Sequence, residues 1–496
     1  MPVSTYNPQC LVTIQKMIAR RDGRATRYPA AGGSPGFSPV IDITPYLGEE
    51  GRVFTSKNIY QAMGAFTIVC VDRPHSLYLD TLYGLIEPMD YVEIRMSRTP
   101  HLYLGRKLPI IMRGFVQAIT RQETMGADGK PRRMVLISGR DFGVIFNHIR
   151  LIKYLASVDS INLLDGFPFF NMTGIPAHVY KPPEWITEIL EKVVNPHLNA
   201  IFQAGAGGPT QVPNIVPAVT VTEGKVWPHR DYPDGTIWDL LVHHADLPWN
   251  ELFVRDTEDA VELVHRPIPF RSAERNGTWI PQGNQKVELP PEEIIDTDIE
   301  SVVSLTANRS DTHIANLYRV DHPSGPLIGS TPLLLSHAEQ RAHKATIFLD
   351  DTNRYPNSNP YLYGARPMQV RSMLIYDAAD SAPINLPKDR QYAAQRSEVT
   401  WMHERRQTLI DLNKDNVVFE DGVMVLRGDE KIRHGRYVKL TRHKLVAWYY
   451  AFAVIHQYQP YQRYTTTVQF VRGTGFLERS RSPTPYLDEG KRGAYP

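Results

Sequence analysis

Cysteine is scarce in this sequence, since only Cys10 and Cys70 occur among its 496 residues. A disulfide framework or a structural zinc site requires several cysteines at suitable spacings, so this composition excludes both. Cys70 lies inside an apolar run that is typical of a strand, and a buried free thiol is the expected state there.

Long apolar stretches and a large net charge are also missing. No apolar run approaches the roughly 20 residues that a membrane-spanning helix needs. The first residues lack the basic and apolar regions of a secretory signal. The 55 Lys and Arg residues nearly balance 53 Asp and Glu residues, giving a formal net charge of +2, so composition gives no electrostatic case for nucleic-acid binding. We expect a soluble protein that does not insert into membranes and stays in cytoplasm-like conditions.

Proline, by contrast, is plentiful, with 39 residues. Many lie in loop-like segments such as 180–183, 212–217 and 482–485, which favours a loop-rich, largely β architecture over a helical bundle. The length predicts two to four domains. The predicted fold class is mainly β with α+β character, with a mixed α/β middle region.

Three extended runs occur twice in the same order. They lie at residues 90–95, 114–120 and 134–142, and again at residues 433–440, 448–456 and 464–476. The matched positions are Tyr91 with Tyr437, Phe115 with Phe452, Gly139 with Gly473 and Phe142 with Phe476. Short β patterns are degenerate, but the shared order favours an internal duplication over chance.

The duplication suggests a division of the chain into segments. The predicted segments are an irregular N-terminal arm (1–40), a first strand-rich domain (41–150), a mixed α/β domain (151–290), strands of the second strand-rich domain (291–330), an α/β and helical connection (331–415), the rest of the second strand-rich domain (416–478) and a tail (479–496). Helical spacing predicts helices over 141–155, 184–194, 238–245 and 391–411. Residues 126–129 are typical of a hairpin turn.

Several short motifs suggest chemistry that their context does not support. Asp141-Phe142-Gly143 matches a kinase magnesium motif, but no glycine-rich loop or catalytic-loop sequence accompanies it, so we interpret it as a helix start. Adjacent His243 and His244 do not converge on a metal from one helix. We therefore predict a non-enzymatic protein with no catalytic constellation, no metal and no cofactor.

A series of phrases resembles, in order, the baseplate hub family of contractile phage tails and related injection systems. They are residues 137–141, 237–240 with 250–253, 265–270, Asp311 with 315–316, 363–366, and finally Tyr449, Tyr450, His456, 464–467 and 472–473. The similarity covers roughly residues 53–476. Each phrase is short, and the resemblance depends on their common order.

The resemblance implies that the two strand-rich domains are tube-protein-like β-barrel domains, the first at 41–150 and the second at 291–330 with 416–478. It also implies a homotrimer in which these two domains per chain give a pseudo-six-fold ring. Such a ring joins a hexameric tail tube protein to a trimeric central spike protein, with possible contacts to a tape-measure protein and to baseplate wedge proteins. DNA would pass only transiently through the channel. The location implied is the virion tail baseplate, assembled in the bacterial host cytoplasm. The segment after Phe476 resembles neither a spike barrel nor a needle, so the spike is expected to be a separate protein.

Outward faces of the paired strands are the expected contacts with neighbours or with the lumen. The candidate residues are Tyr91, Glu93, Arg95, Arg436, Lys439, Thr441 and Arg472. Glu93 and Lys439 match in the two copies, so their charges would alternate around a ring; the alternative is that they are unrelated surface charges.

Two other functions remain open at this point. One is a tail-tip hydrolase of the cell wall, which would require a catalytic pair. The other is a distal tail adaptor of a non-contractile phage, which shares the tube-like module.

Overall fold

A mostly antiparallel sheet of 13 strands dominates the structure, which is a computed structural model. It describes residues 7–21, 23–27, 40–73, 81–125, 129, 131–151, 180–202, 212–226, 235–273, 277–321, 355–374, 376, 388–443 and 445–475. Within these ranges, no helix is long and apolar enough to cross a membrane. The predicted fold class, mainly β with helices, is confirmed.

The strands and helices follow one another along the chain. The strands are β1 Gln9–Gln15, β2 Ile18–Arg21, β3 Arg24–Arg27, β4 Val40–Asp42, β5 Arg52–Asn58, β6 Ala65–Val71, β7 Tyr91–Ser97, β8 Ile110–Met125, β9 Pro131–Asp141, β10 Arg150–Leu151, β11 Ile215–Val219, β12 Gly235–Thr236, β13 Asn250–Asp256, β14 Val261–Pro267, β15 Ile294–Asp298, β16 Val302–Asn308, β17 Leu317–Asp321, β18 Pro367–Arg371, β19 Glu420–Arg427, β20 Arg436–Arg442, β21 Leu445–Gln459 and β22 Arg463–Gly473. The helices are α1 Leu82–Leu85, α2 Gly143–His148, α3 Pro182–Ile189, α4 Asn195–Phe202, α5 Ile237–Ala245, α6 Pro360–Tyr363 and α7 Lys388–Asn413.

The strands form where apolar side chains alternate with polar ones. In β6, Phe66, Ile68 and Cys70 are buried while the intervening residues are half-exposed. Successive side chains of a strand point to opposite faces, so such a segment covers a core with one face and leaves the other accessible. Strand β22 has the same alternation over eleven residues.

Two groups of five strands share one topology. We call β5 to β9 the first module, and β16 with β19 to β22 the second module. Their strands are ordered β5-β6-β9-β8-β7 and β16-β19-β22-β21-β20, and all neighbours are antiparallel. Each module therefore has a strand pair followed by a three-strand meander whose last strand returns beside the pair.

The two modules also match residue by residue. Read across the strands in register, one row is Val53, Ile68, Ile137 and Ile119, and the matching row is Leu305, Met424, Val468 and Val454. A β-bulge interrupts β8 between Val116 and Ala118 and β21 between Ala451 and Ala453. Bulges are specific features of a strand pair, so their common position supports the predicted duplication.

A second irregularity precedes the third strand of each module. Met89 has a φ of 73° and Gly435 a φ of 76°. Each donates its backbone N–H over 2.7 Å to the meander, Met89 to the Val116 carbonyl and Gly435 to the Ala451 carbonyl. A left-handed conformation is uncommon for a residue such as methionine. The matching position of the second module has the same conformation, and the residue there is a glycine.

The register corrects two of the residue matches predicted from the sequence. Tyr91 lies opposite Phe115, whereas Tyr437 lies opposite Tyr450, so Phe115 corresponds to Tyr450 and not to Phe452. By the same comparison, Gly139 corresponds to Phe470 and not to Gly473. Gly139 lies opposite Val116, and Phe470 lies opposite Ala451, which is the position that matches Val116. Short aromatic and apolar runs fit each other equally well after a slip of two or three residues. Phe476 lies outside the described residues.

Part of the predicted irregular arm is a strand. Residues 9–15 form β1, which pairs with β7 over its whole length and with β4 at its end. Val12 and Ile14 are completely buried. The prediction of an irregular arm was wrong here because the alternation in these seven residues was overlooked beside the glycine-rich segment that follows.

The middle of the chain is a mixed α/β region around a separate three-stranded sheet. Strand β14 pairs with β13 antiparallel and with β11 parallel. The helices predicted over 184–194, 238–245 and 391–411 are present, and the first continues through a π-helical turn into α4. The helix predicted over 141–155 ends at His148, where β10 follows and pairs with β12; residues 152–155 lie outside the described residues.

We predict that Gly139→Ala destabilises the first module. A Cβ atom at this position would lie 2.2 Å from Phe66 Cζ and 2.3 Å from the Phe115 carbonyl oxygen. Such crowding of a packed core costs about 1–3 kcal/mol of unfolding free energy. Denaturant unfolding should show this loss, whereas the control Gly84→Ala, whose Cβ would meet only Thr81 Oγ1 at 3.9 Å, should change little. Equal unfolding midpoints for the two variants would contradict the close packing.

Candidate functional site: the seam between the modules

The two modules are joined edge to edge within one chain. Residues 453–458 of β21 pair antiparallel with residues 53–58 of β5. The first half of the same β21 edge pairs with β20. One long strand therefore pairs first with a strand of its own module and then with a strand of the other module. We call the pairing of 453–458 with 53–58 the seam. It makes eight neighbouring strands, from β16 to β8, one continuous sheet.

Aromatic side chains of the second module close the buried side of the seam. Tyr458 and Tyr464 belong to the same apolar cluster as Val53 and Ile68 of the first module. Tyr464 is completely buried and Tyr458 is 9% exposed. Burial of large aromatic groups contributes strongly to packing, so the seam joins the two modules through side chains as well as through the backbone.

His456 lies within the seam, opposite Thr55. Its Nε2 lies 3.1 Å from the Ile432 carbonyl oxygen, and its Nδ1 lies 3.0 Å from Tyr464 Oη and 3.2 Å from Thr466 Oγ1. A carbonyl oxygen only accepts, so Nε2 carries the proton and Nδ1 accepts. Burial, together with the positive charge of Arg433, lowers the pKa of His456 to about 3. The imidazole is therefore neutral at pH 7.

A buried ion cluster fixes the seam to the rest of the chain. Lys57 Nζ, on β5, lies 3.0 Å from Asp141 Oδ2 at the end of β9 and 2.5 Å from Asp256 Oδ2 at the end of β13. Burial opposes the charge of Lys57, but the attraction of Asp141 and Asp256 outweighs it and raises the pKa of the ammonium group. One lysine thus connects the seam, the first meander and the middle region. The signal in the sequence is a lysine at a core-facing position of an alternating strand.

A second buried ion cluster connects the middle region to the second module. Arg266 Nε donates to Glu251 Oε1 over 2.6 Å, and Arg266 Nη1 donates to Glu293 Oε2 over 2.7 Å. Tyr450 Oη, on β21, donates to Glu251 Oε2 over 2.5 Å. Burial raises the pKa of Glu251, although Arg266 opposes the rise. Each module is therefore attached to the middle region by charges that have partners inside the chain.

The face of the continuous sheet opposite the buried side carries few charged side chains, and most positions of its central rows are uncharged. The residues are Val423, Val425, Thr465, Thr467, Gln469, Ile455, Gln457, Phe54, Ser56, Thr67, Val69, Leu136, Ser138, Ala118, Thr120 and Gln122, all half-exposed or exposed. We call this surface the uncharged face. Charged side chains on it, such as Arg52, Arg140 and Arg427, stand near strand ends.

The candidate contact residues predicted from the sequence do not lie together on an open surface. Tyr91, Arg95 and Arg472 are 5%, 4% and 6% exposed. Arg95 pairs with Glu93 and Glu258, and Arg472 donates to the Leu412 carbonyl. These three residues are therefore occupied inside the chain, and the prediction that they meet neighbours or the lumen was wrong.

Of the other four candidates, three have polar side-chain contacts within the chain. The fourth, Thr441, is described only by the pairing of its backbone with neighbouring strands. Glu93 pairs with Arg95, and Lys439 Nζ lies 2.7 Å from Asp296 Oδ1. Arg436 donates to the Lys431 carbonyl over 2.8 Å, and Thr441 lies between Asp298 and Val446. The proposed alternation of Glu93 with Lys439 around a ring stays a prediction, although each has an opposite charge beside it.

The motifs that suggested chemistry have structural roles. Asp141 accepts the Gly143 N–H over 3.0 Å as well as binding Lys57. His244 is buried in α5, where burial and His243 lower its pKa to about 3. Among the described residues, no group of three or more His, Cys, Asp and Glu side chains is placed to hold a metal ion.

Solved structures that match this chain at low TM-scores include proteins from phage tails and a secretion system. The tail protein of Neisseria meningitidis MC58 is 11% identical, with a TM-score of 0.45 over 94% of this chain and 97% of that chain. The 43 kDa tail protein of prophage MuSo2 from Shewanella oneidensis is 9% identical, with a TM-score of 0.42 over 94% and 97%. A type VI secretion component of E. coli, described as similar to bacteriophage tail proteins, is 10% identical, with a TM-score of 0.34 over 85% and 71%.

No protein-family model and no curated protein matches the sequence. Because the TM-scores of the solved structures lie below 0.5, the function proposed below rests on the chain's own modules and seam.

We predict that Lys57→Met strongly destabilises the protein. The substitution leaves Asp141 and Asp256 buried without their cation, and breaking a buried pair in this way costs about 3–5 kcal/mol. The control Lys192→Met removes the exposed pair of Lys192 with Glu188, which contributes about 1 kcal/mol or less. Denaturant unfolding followed by tryptophan fluorescence measures both; similar small losses in the two variants would contradict a structural role for the cluster.

We predict that stability falls as the pH is lowered from 7 to 4. Burial lowers the pKa of His244 and His456 to about 3 and that of His265 to about 4, and that of His434 lies well below its usual value. The unfolded chain takes up these protons near pH 6.5, so it binds more protons than the folded chain and is favoured by acid. The contribution of these histidines to the unfolding free energy is fully present above pH 6.5 and is lost progressively as the pH falls below that value.

The variant His456→Gln isolates one of these groups. The slope of its unfolding free energy against pH should be smaller than that of the unsubstituted protein, by up to about 1.4 kcal/mol per pH unit between pH 6 and 4. Denaturant unfolding at several pH values measures the slope, and exposed His101→Gln serves as the control. A slope equal to that of the unsubstituted protein would contradict a neutral, buried imidazole at the seam.

Proposed function

We propose that this chain is the structural baseplate hub of a phage tail. Three copies would form a ring in which two related modules per copy present six similar units. The observation that carries this proposal is the seam, which joins two modules of one topology edge to edge in a single sheet. A junction between equivalent modules that repeats by rotation produces a closed ring when that rotation closes after a whole number of modules. The ordered phrases shared with hub proteins support the same function.

The proposed ring would join a hexameric tail tube protein on one side to a trimeric central spike protein on the other. A three-fold object with two related modules per subunit can face either symmetry. Tape-measure and baseplate wedge proteins are further proposed partners. The proposed location is the tail baseplate of the virion, with assembly in the bacterial host cytoplasm and no enzymatic role.

The uncharged face supports a lumen that lets DNA pass without holding it. Proteins hold DNA mainly by neutralising phosphates with Lys and Arg side chains, with release of counterions. A wall made mostly of Thr, Ser, Gln and small apolar side chains offers few such cations, and the arginines that it carries stand near strand ends. We propose that this face, rather than the predicted pair Glu93 and Lys439, lines the channel.

Light scattering of the purified chain tests the proposed ring. The expected mass is three times the 56.4 kDa of one chain, and electron micrographs of the same sample should show rings with six similar lobes. A chain that stays monomeric over the accessible concentrations, both alone and with the spike protein, would contradict the proposal.

A further inference from the structure

One strand edge in each module matches the seam but has no described partner. The seam uses residues 453–458 of β21, which correspond to residues 118–123 of β8 because both follow the shared bulge. Strand β7 pairs with β8 only up to Phe115. Among the described residues, no strand lies against the edge of 118–123 beyond β7, and these side chains are mostly exposed.

The other half of the seam also has an unpaired counterpart. Residues 53–58 of β5 correspond to residues 305–310, because Val53 and Leu305 occupy the same place in their rows. Within the described ranges, β16 pairs only with β19, on one edge. Val303 beside this segment is 63% exposed. Each protomer therefore carries both halves of a second seam, at opposite ends of its continuous sheet.

The directions of the backbone groups at these two edges are complementary. In the seam, Ile59 N–H donates to the Phe452 carbonyl over 3.0 Å. Hydrogen-bonded pairs alternate with non-hydrogen-bonded pairs along an antiparallel ladder, so His456 and every second residue on either side of it direct their backbone groups at β5. The alternation then directs the backbone groups of Ile119, Arg121 and Glu123 outward from β8. Those directed outward from β16 belong to the segment's matching alternate positions, Leu305 and Ala307, and Arg309 follows the end of the strand. The two edges can form a ladder over 305–308, which 309 and 310 extend if they become extended on pairing.

We infer that residues 118–123 of β8 pair antiparallel with residues 305–310 of a second copy of this chain. The register follows from the seam: Ala118 lies opposite Ser310, Thr120 opposite Asn308, Arg121 opposite Ala307 and Gln122 opposite Thr306 of the neighbouring copy. This inference rests on the proposed ring, for which it specifies the contact between subunits. The junction within a chain and the junction between chains then alternate around the ring.

The side chains at this second junction fit the two faces of the sheet. Ala118, Thr120 and Gln122 would meet Ser310, Asn308 and Thr306 of the neighbouring copy, so the uncharged face continues without a break. On the opposite side, Arg121 replaces the buried His456 and faces the small Ala307, and Glu123 stands where the seam has Tyr458. The junction between chains is thus more polar than the seam and should be weaker.

The two edges lack proline, although the β8 edge carries the charged side chains of Arg121 and Glu123 and a bulge lies between Val302 and Ser304 in β16. Exposed edges are commonly shielded by prolines, charged side chains, short strands or bulges. Residues 118–125 and 302–310 contain no proline, and β8 extends for ten residues beyond its last partner in β7. Met125 at its end is 71% exposed. An edge of this length in a stable protein indicates a partner, and the matching seam identifies that partner as another copy.

An engineered disulfide tests the register. Thr120→Cys with Asn308→Cys places two thiols at a pair that does not exchange backbone hydrogen bonds, where opposite Cβ atoms are about 4.5–5.5 Å apart, close to the geometry of a disulfide. Both native cysteines are buried. Mild oxidation of the full-length protein should convert most of it to a covalent trimer that reducing agent separates. Each single substitution should give no trimer.

A control with a shifted register makes the result specific. Thr120→Cys with Ser304→Cys moves one thiol by four residues, about 13 Å along the strand, and should give little cross-linking. A trimer by light scattering that does not cross-link at 120 and 308 would overturn this pairing and leave the ring intact. A chain that neither cross-links nor forms a trimer would overturn both, and a cross-link within one chain would overturn the pairing.

A proline on the edge gives an independent measurement. Arg121→Pro removes an N–H directed at the neighbouring copy, whereas Arg121→Ala removes the side chain and retains that N–H. We expect Arg121→Pro to remain folded by circular dichroism and to be a monomer, and Arg121→Ala to assemble. Assembly of folded Arg121→Pro with unchanged affinity would overturn the proposed ladder.

Discussion

Backbone pairing between β5 and β21 is the constraint on which the rest of the structure depends. A strand edge presents alternating backbone donors and acceptors that a neighbouring strand satisfies, and the pattern of buried side chains selects the register. By giving half of the β21 edge to its own module and half to the other, the chain makes two modules into one sheet. The buried cluster around Lys57 and the side chains of Tyr458 and Tyr464 then hold that register.

The proposed function follows from repeating this constraint. If the same edges meet between copies, the sheet closes on itself and its accessible face becomes a continuous lining. Charged side chains are concentrated where the middle region packs on the modules, as in the clusters of Lys57 and Arg266. The face left over carries few charged side chains, which is what the proposed channel would need in order not to retain DNA. Under this proposal, the different polarity of the two junctions would separate a permanent contact from one formed during assembly.

The sequence predicted the duplicated meander, the fold class and three of the helices, because these depend on local alternation and helical spacing. It misaligned Phe115 and Gly139 with their counterparts, since bulges and slips of two or three residues leave an apolar pattern almost unchanged. It also selected Arg95 and Arg472 as surface residues, because a charged side chain is usually exposed and only tertiary contacts reveal its buried partners. The seam joins residues some 400 positions apart, beyond any local pattern.

Electron cryomicroscopy of the assembled particle tests the central claim most directly, because strand pairing between copies can be seen in the density. The account predicts a three-fold ring with an unbroken wall, in which junctions within chains and between chains alternate and share one register. A ring whose subunits touch only through the middle region, with the edges of β8 and β16 open to solvent, would contradict it.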